Sequence, residues 1–148
     1  MVRAAPSPLA RADRCAGANP ADYRGDTLRF SQSGRYLYAT TRGKTTATKG
    51  ILTAWKVDYS SDNAVLETAT PVRYTTPASG GKANAIEPFP FHGTEDSDSD
   101  WIVLTDDDEG FVEIVAFDGE RFSSFAHASL TAYEGGEFTG GSHAVWLS

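Results

Sequence analysis

The stretch GILTAWKVD, from Gly50 to Asp58, returns 60 positions later as GFVEIVAFD, from Gly110 to Asp118. In both copies a glycine opens an alternating run that closes on an aspartate. In the first copy Ile51, Thr53, Trp55 and Val57 alternate with Leu52, Ala54 and Lys56. Alternation with period two belongs to β-strands, whose successive side chains point to opposite faces. The surroundings repeat too. YLYATT (36–41) precedes the first copy as WIVLTD (101–106) precedes the second, and HAVWL (143–147) resembles NAIEP (84–88). Few folds accept the same order of short strands twice at a matched offset. Such a unit, with four strands in each copy, predicts β-propeller blades. A two-sheet sandwich also uses many short strands, but it does not call for the matched offset.

The first unit reads as TLRFS (27–31), RYLYATT (35–41), ILTAWKVD (51–58) and AVLETATPVRYTT (64–76). The second reads as ANAIEPF (83–89), WIVLT (101–105), FVEIVAFD (111–118) and RFSSFAHASL (121–130). Pro71 cannot donate to a ladder, so its segment belongs at an outer edge or a bulge. DDDEG (106–110) reads as a hairpin turn. No segment carries a helical period. The expected class is all-β: a β-propeller segment of two four-stranded antiparallel blades, about 27–76 and 83–130, with 143–147 as the inner strand of a third. Residues 1–25 read as an irregular lead-in, and 26–148 as the partial propeller; a transit peptide at the start is the less favoured reading. A propeller ring takes about 4–8 blades, so this ring is incomplete and its open edges invite self-association.

The net charge of −7 and pI near 4.8 argue against nucleic acid or an anionic membrane surface as partner. No apolar run approaches the roughly 18 residues of a membrane span. Cys15 is the only cysteine, which excludes an intramolecular disulfide and fits a reducing, cytoplasmic compartment. DSDSD (96–100) alternates aspartates as a calcium loop does, but Trp101 stands where the sharp turn needs glycine, so a solvated loop is the better reading. No phosphate loop, zinc spacing or Ser-His-Asp arrangement is present, and neither metal nor cofactor is expected.

Arg42 stands out on this acidic background. It follows the second strand of the first unit, on the side where a propeller's channel mouth lies. Read alone, it is a solvated loop arginine beside a Gly43 turn. Aligning the inner strands on Leu28, Ile86 and Val145 places Asp26, Asn84 and His143 two residues earlier, around the same mouth. Asn84 could hold a carboxylate there, and His143 could act as an acid. Alternatively, all three satisfy backbone groups at the ends of Gly-rich loops.

The segments GDTLRFSQSGRYLYATTRG, KGILTAWKVD, TPASGGKANAIEP, WIVLTDDDEGFVEIVAFDG and HAVWL, taken in order, resemble the C-terminal part of fungal carboxy-cis,cis-muconate cyclases. These are also called 3-carboxymuconate lactonizing enzymes. They fall in the seven-bladed propeller lactonase superfamily, with 6-phosphogluconolactonase as a relative. The resemblance runs from about Asp22 to Leu147. It implies an isomerase, an intramolecular lyase that cyclises 3-carboxy-cis,cis-muconate to a carboxymuconolactone without a metal. That step belongs to aromatic catabolism, in the protocatechuate branch of the β-ketoadipate pathway. Through TTRG the resemblance makes Arg42 the catalytic, substrate-holding arginine. The family's histidine and glutamate acid/base candidates, and a further arginine, lie in upstream blades without a counterpart here, so this chain alone is expected to be inactive. The expected partner is a small-molecule tricarboxylate, bound by an intact propeller. Two other functions stay open: a lactone hydrolase of the same superfamily, and a non-catalytic propeller fragment serving as a binding or assembly module.

Overall fold

In the computed structural model the residues described are 19–60, 63–81, 84–90, 99–130 and 141–147. A 3-10 turn at Pro20–Asp22 leads into the first sheet, its start capped by the Asn19 side chain, which accepts the Ala21 N–H. That sheet holds β1 (Tyr23–Phe30), β2 (Tyr36–Gly43), β3 (Ile51–Asp58), β4 (Val65–Leu66) and β5 (Val72–Thr75). The second holds β6 (Ile86–Pro88), β7 (Asp100–Asp106), β8 (Phe111–Phe117) and β9 (Phe122–Ser129). Every pairing is antiparallel. The order is β1-β2-β3 with β4 and β5 both against β3, then β6-β7-β8-β9. The protein is therefore all-β, two consecutive blade-like sheets of a partial propeller. Pro71 accounts for the divided outer strand. β4 pairs only Val57 and Asp58, and β5 resumes after the proline against Ile51–Ala54.

The two sheets bury one core between them, and the alternation along each strand decides which residues enter it. On β2, Tyr36, Tyr38 and Thr40 share the inward face; cross-strand neighbours extend the rows, Tyr38 beside Ala54 and Val72, Thr40 beside Leu52 and Tyr74. The second sheet answers with Ile86, Ile102, Leu104, Phe111, Val115 and Phe117. Phe117 meets Tyr36 edge-on at 5.0 Å and Phe122 at 4.5 Å between ring centroids. Each buried aliphatic or aromatic side chain contributes roughly 1.5–3 kcal/mol, so this layer holds the sheets together.

Two boundaries depart from the sequence reading. β1 begins at Tyr23, inside the expected lead-in, because Tyr23, Arg24 and Gly25 find partners in Gly43, Arg42 and Thr41; a bulge between Gly25 and Leu28 absorbs the extra residue. Residues 143–147 form no ladder. A strand needs a second strand of its own blade, and among the described residues none lies beside it. Trp146 holds the segment instead: its indole N–H donates to the Glu87 carbonyl at 3.0 Å and its ring meets Phe89 at 4.6 Å.

Candidate functional site

The loops that join β2 to β3, and the first sheet to the second, lie at one end of the stack and are stitched together there. Gly43 N–H donates to the Ser79 carbonyl at 2.8 Å and Gly50 N–H to the Ala78 carbonyl at 2.9 Å. The same link is tied to the second sheet, since Gly80 N–H donates to the Asp106 carboxylate at 2.7 Å and Ser79 N–H to Glu109 at 3.2 Å. Threonines fasten the segment that follows each sheet. Thr40 Oγ1 donates to the Asn84 carbonyl at 2.7 Å; Thr105, its counterpart in the repeat, places Oγ1 3.3 Å from the Ser142 carbonyl.

Arg42 emerges into this junction. The alternation that buries Tyr36, Tyr38 and Thr40 puts it on the same face of β2, at the strand's end and half-buried. Its Nη1 donates to the Gly81 carbonyl at 3.5 Å, and its Nε is buried with no hydrogen-bond partner among the described residues. Among the described residues the guanidinium makes no ion pair, unlike Arg29 with Glu87 at 2.9 Å or Arg121 with Asp118 at 3.2 Å. A half-buried guanidinium with most of its donors uncommitted among the described residues is suited to a carboxylate, which matches its fork through two parallel hydrogen bonds.

The other residues singled out in the sequence fall into two groups. Asp26 and Asn84 come together, with the Asn84 backbone N–H donating to the Asp26 carboxylate. Asn84 is fully buried, its Nδ2 donating to the Thr41 carbonyl at 3.2 Å. It sits inside the junction, supporting the strand end that carries Arg42. Glycine is required around it: a Cβ on Gly80 would stand 2.5 Å from the Asn84 Cβ, and Gly80 has φ +91°. Asp26 is exposed, and a carboxylate there repels other carboxylates. His143 is exposed, with Nδ1 3.0 Å from Ser142 Oγ; the Thr105 hook brings its neighbour Ser142 to the second sheet. Of the acidic run at 96–100, residues 96–98 lie outside the described residues, and Asp100 accepts the Tyr38 hydroxyl. Burial, with that bond second, pushes the Tyr38 phenol well above its ordinary range.

Two carboxylates were not found from the sequence. Asp106 is fully buried at the end of β7 and accepts three backbone N–H groups: Gly80, Asp108 at 2.9 Å and Glu109 at 2.8 Å. Burial raises its pKa against the opposing effect of those bonds. Glu113, 1% exposed, lies between the sheets and accepts the Tyr74 and Ser124 hydroxyls at 2.7 and 2.6 Å on one oxygen. A cavity of about 110 Å³ lies at the opposite end of the stack, lined by Tyr36, Val72, Phe117 and Gly119, and it shares no residue with the Arg42 junction.

Fold and junction together define an all-β protein of blade-like sheets with a buried-edge arginine where the sheets meet. No family model matches the chain. Among characterised proteins it is 29% identical over 125 residues to carboxy-cis,cis-muconate cyclase of Neurospora crassa, covering 84% of this chain and 30% of that protein. It is 32% identical over 99 residues to muconate cycloisomerase 1 of Cutaneotrichosporon cutaneum, covering 67% of this chain and 25% of that protein. The chain is thus a distant relative of both, and the matches span about a quarter to a third of the relatives' lengths.

Proposed function

We propose that this chain is a two-blade segment of a carboxy-cis,cis-muconate cyclase-like enzyme of the seven-bladed propeller lactonase type, and that Arg42 holds a substrate carboxylate. The observation that carries this reading is the half-buried Arg42 guanidinium at the sheet junction, which among the described residues makes a single 3.5 Å hydrogen bond. In the reaction, one carboxylate oxygen of 3-carboxy-cis,cis-muconate adds to a conjugated double bond. Negative charge then builds on the conjugated acid group. A fixed guanidinium bound to that group strengthens its hold as the charge develops, which lowers the barrier. The overall charge of −7 repels a trianion, so affinity must come from this local cation rather than from long-range steering. In this reading His143, exposed beside Ser142, serves as the proton donor. The reading places the remaining acid/base groups in other blades, so this chain binds without turning over, in the cytoplasm. Open sheet edges also support association with a second copy.

The test is calorimetric titration of the chain with 3-carboxy-cis,cis-muconate, with ultraviolet absorbance following turnover. Losing one charge-assisted bidentate contact costs about 2–4 kcal/mol, so Arg42→Ala should weaken binding by roughly 30- to 1,000-fold. Arg42→Lys should recover little of it, since an ammonium cannot match the carboxylate's two oxygens at once. Unchanged affinity in Arg42→Ala, with the fold intact, sinks the reading; robust turnover by the wild-type monomer sinks the expectation of inactivity.

A further inference from the structure

We propose that Asp106 is a positioning residue for Arg42, acting through the Gly80–Gly81 peptide; the proposal rests on the reading of Arg42 as a carboxylate-holding residue. The only protein acceptor of the guanidinium among the described residues is the Gly81 carbonyl. The direction of that carbonyl depends on two successive left-handed glycines, Gly80 at φ +91° and Gly81 at φ +55°. Glycine reaches such angles without steric cost, but nothing in its own backbone holds them. Within the link the Gly81 N–H donates to Ser79 Oγ at 3.3 Å; the tie from outside it is Asp106, through its 2.7 Å bond from the Gly80 N–H.

The two oxygens of Asp106 do different things. Oδ1 takes the Asp108 and Glu109 N–H groups, an ordinary turn cap that Asn or Ser also makes. Oδ2 crosses the junction to Gly80. Only a carboxylate offers acceptors on both sides, since Asn would turn an NH2 donor toward the Gly80 N–H. The blade itself does not call for the acid. In the matching place of the first unit, where YLYATT corresponds to WIVLTD, stands Thr41. Burying a carboxylate is costly, and what it provides here beyond a turn cap is a fixed path to Gly81 and so to Arg42. A guanidinium that binds by its fork is sensitive to such a path, because a small rotation breaks the second of two parallel bonds.

The experiment uses the whole chain, with cis-aconitate as a stable unsaturated tricarboxylate. Binding is measured by calorimetry for wild type, Asp106→Asn, Arg42→Ala and the double variant, and the Arg42 Nε–Hε resonance is followed by NMR. Asp106→Asn should weaken binding by roughly tenfold, and the double variant should bind no more weakly than Arg42→Ala, as expected for residues that act through one another. The Arg42 Nε–Hε signal should shift in Asp106→Asn while amides outside the junction stay in place. A merely structural role would leave that signal fixed. Wild-type affinity in Asp106→Asn, or additive losses in the double variant, overturns the proposal. If Arg42→Ala itself binds normally, the carboxylate reading has failed, and the positioning role is then decided by the Nε–Hε signal alone. Asp106→Ser, which keeps the turn cap, replaces Asp106→Asn should the latter not fold. If neither folds, Asp106 is a folding requirement and the positioning role falls.

Discussion

Glu113 shows what a single residue in phase with a core can conceal. It shares its strand face with Phe111, Val115 and Phe117, so the alternation along FVEIVAF already points a carboxylate inward. That much was readable in the sequence, and a polar letter amid apolar ones hid it. Its partners could not be read: Tyr74 lies 39 residues away and Ser124 lies 11 away across a bulge. The pairing also acts on Tyr74, whose hydroxyl is pushed up to about 12 by burial, then by the bond to Glu113 and its charge. Tyr74→Phe should cost about 1–2 kcal/mol, since Ser124 still satisfies the acid. Glu113→Ala should cost more, about 2–4 kcal/mol, by opening a cavity and leaving the half-buried Tyr74 hydroxyl without its acceptor. Urea unfolding measures both, and a Glu113→Ala variant as stable as wild type would refute the assignment. For Asp26 and Asn84 the limit of the sequence was direction rather than place. The structure brings the Asn84 backbone N–H to the Asp26 carboxylate, but no pattern in the letters says that Asn84 points into a pocket walled by Gly50 and Gly80.

At the scale of elements, period two carried most of the information. It placed the strands flanking both turns; Pro71 marked its segment as an outer edge or bulge, and the structure divides that segment into β4 and β5. It failed where pairing rather than pattern decides, at the start of β1 and along 143–147. The link between the sheets is the most exacting element. Gly80→Ala combines a left-handed backbone with a Cβ 2.5 Å from Asn84 and should lose at least about 2 kcal/mol; Gly25→Ala, with nothing within 4 Å, should change stability by less than about 1 kcal/mol. Equal losses for the two, measured by denaturant unfolding, would show that the tight fit around Asn84 does not matter. The same link carries a pH signature. Asp106 has a folded pKa above its unfolded value of 3.8, so the folded state holds the proton more tightly than the unfolded chain. Its contribution to stability is therefore full below 3.8 and is lost as pH rises through the raised folded value. Comparing wild type with Asp106→Asn across the mildly acidic range isolates it: the stability lead of wild type should shrink as pH rises. A lead that grows with pH would reverse the sign.

The whole molecule presents open flanks. Leu28 and Phe30 are 56% and 58% exposed on β1, and Phe125 is 66% exposed on β9. Sedimentation velocity should show concentration-dependent association, and Leu28→Ser with Phe30→Ser should shift it toward monomer; a wild-type chain that stays monomeric at high micromolar concentration would count against the proposal. The threonine hooks matter at this scale too. Thr40 reaches the carbonyl of Asn84, and Thr105 approaches that of Ser142, so each sheet holds the start of the segment that follows it. The covalent repeat and the mechanical repeat are therefore out of step by one strand start. For anyone recombining this chain with its distant relatives, the crossover belongs just after Ala85 rather than in the glycine-rich stretch at 77–81. A graft made at the later point keeps the Thr40 hook with the Asn84 carbonyl it catches.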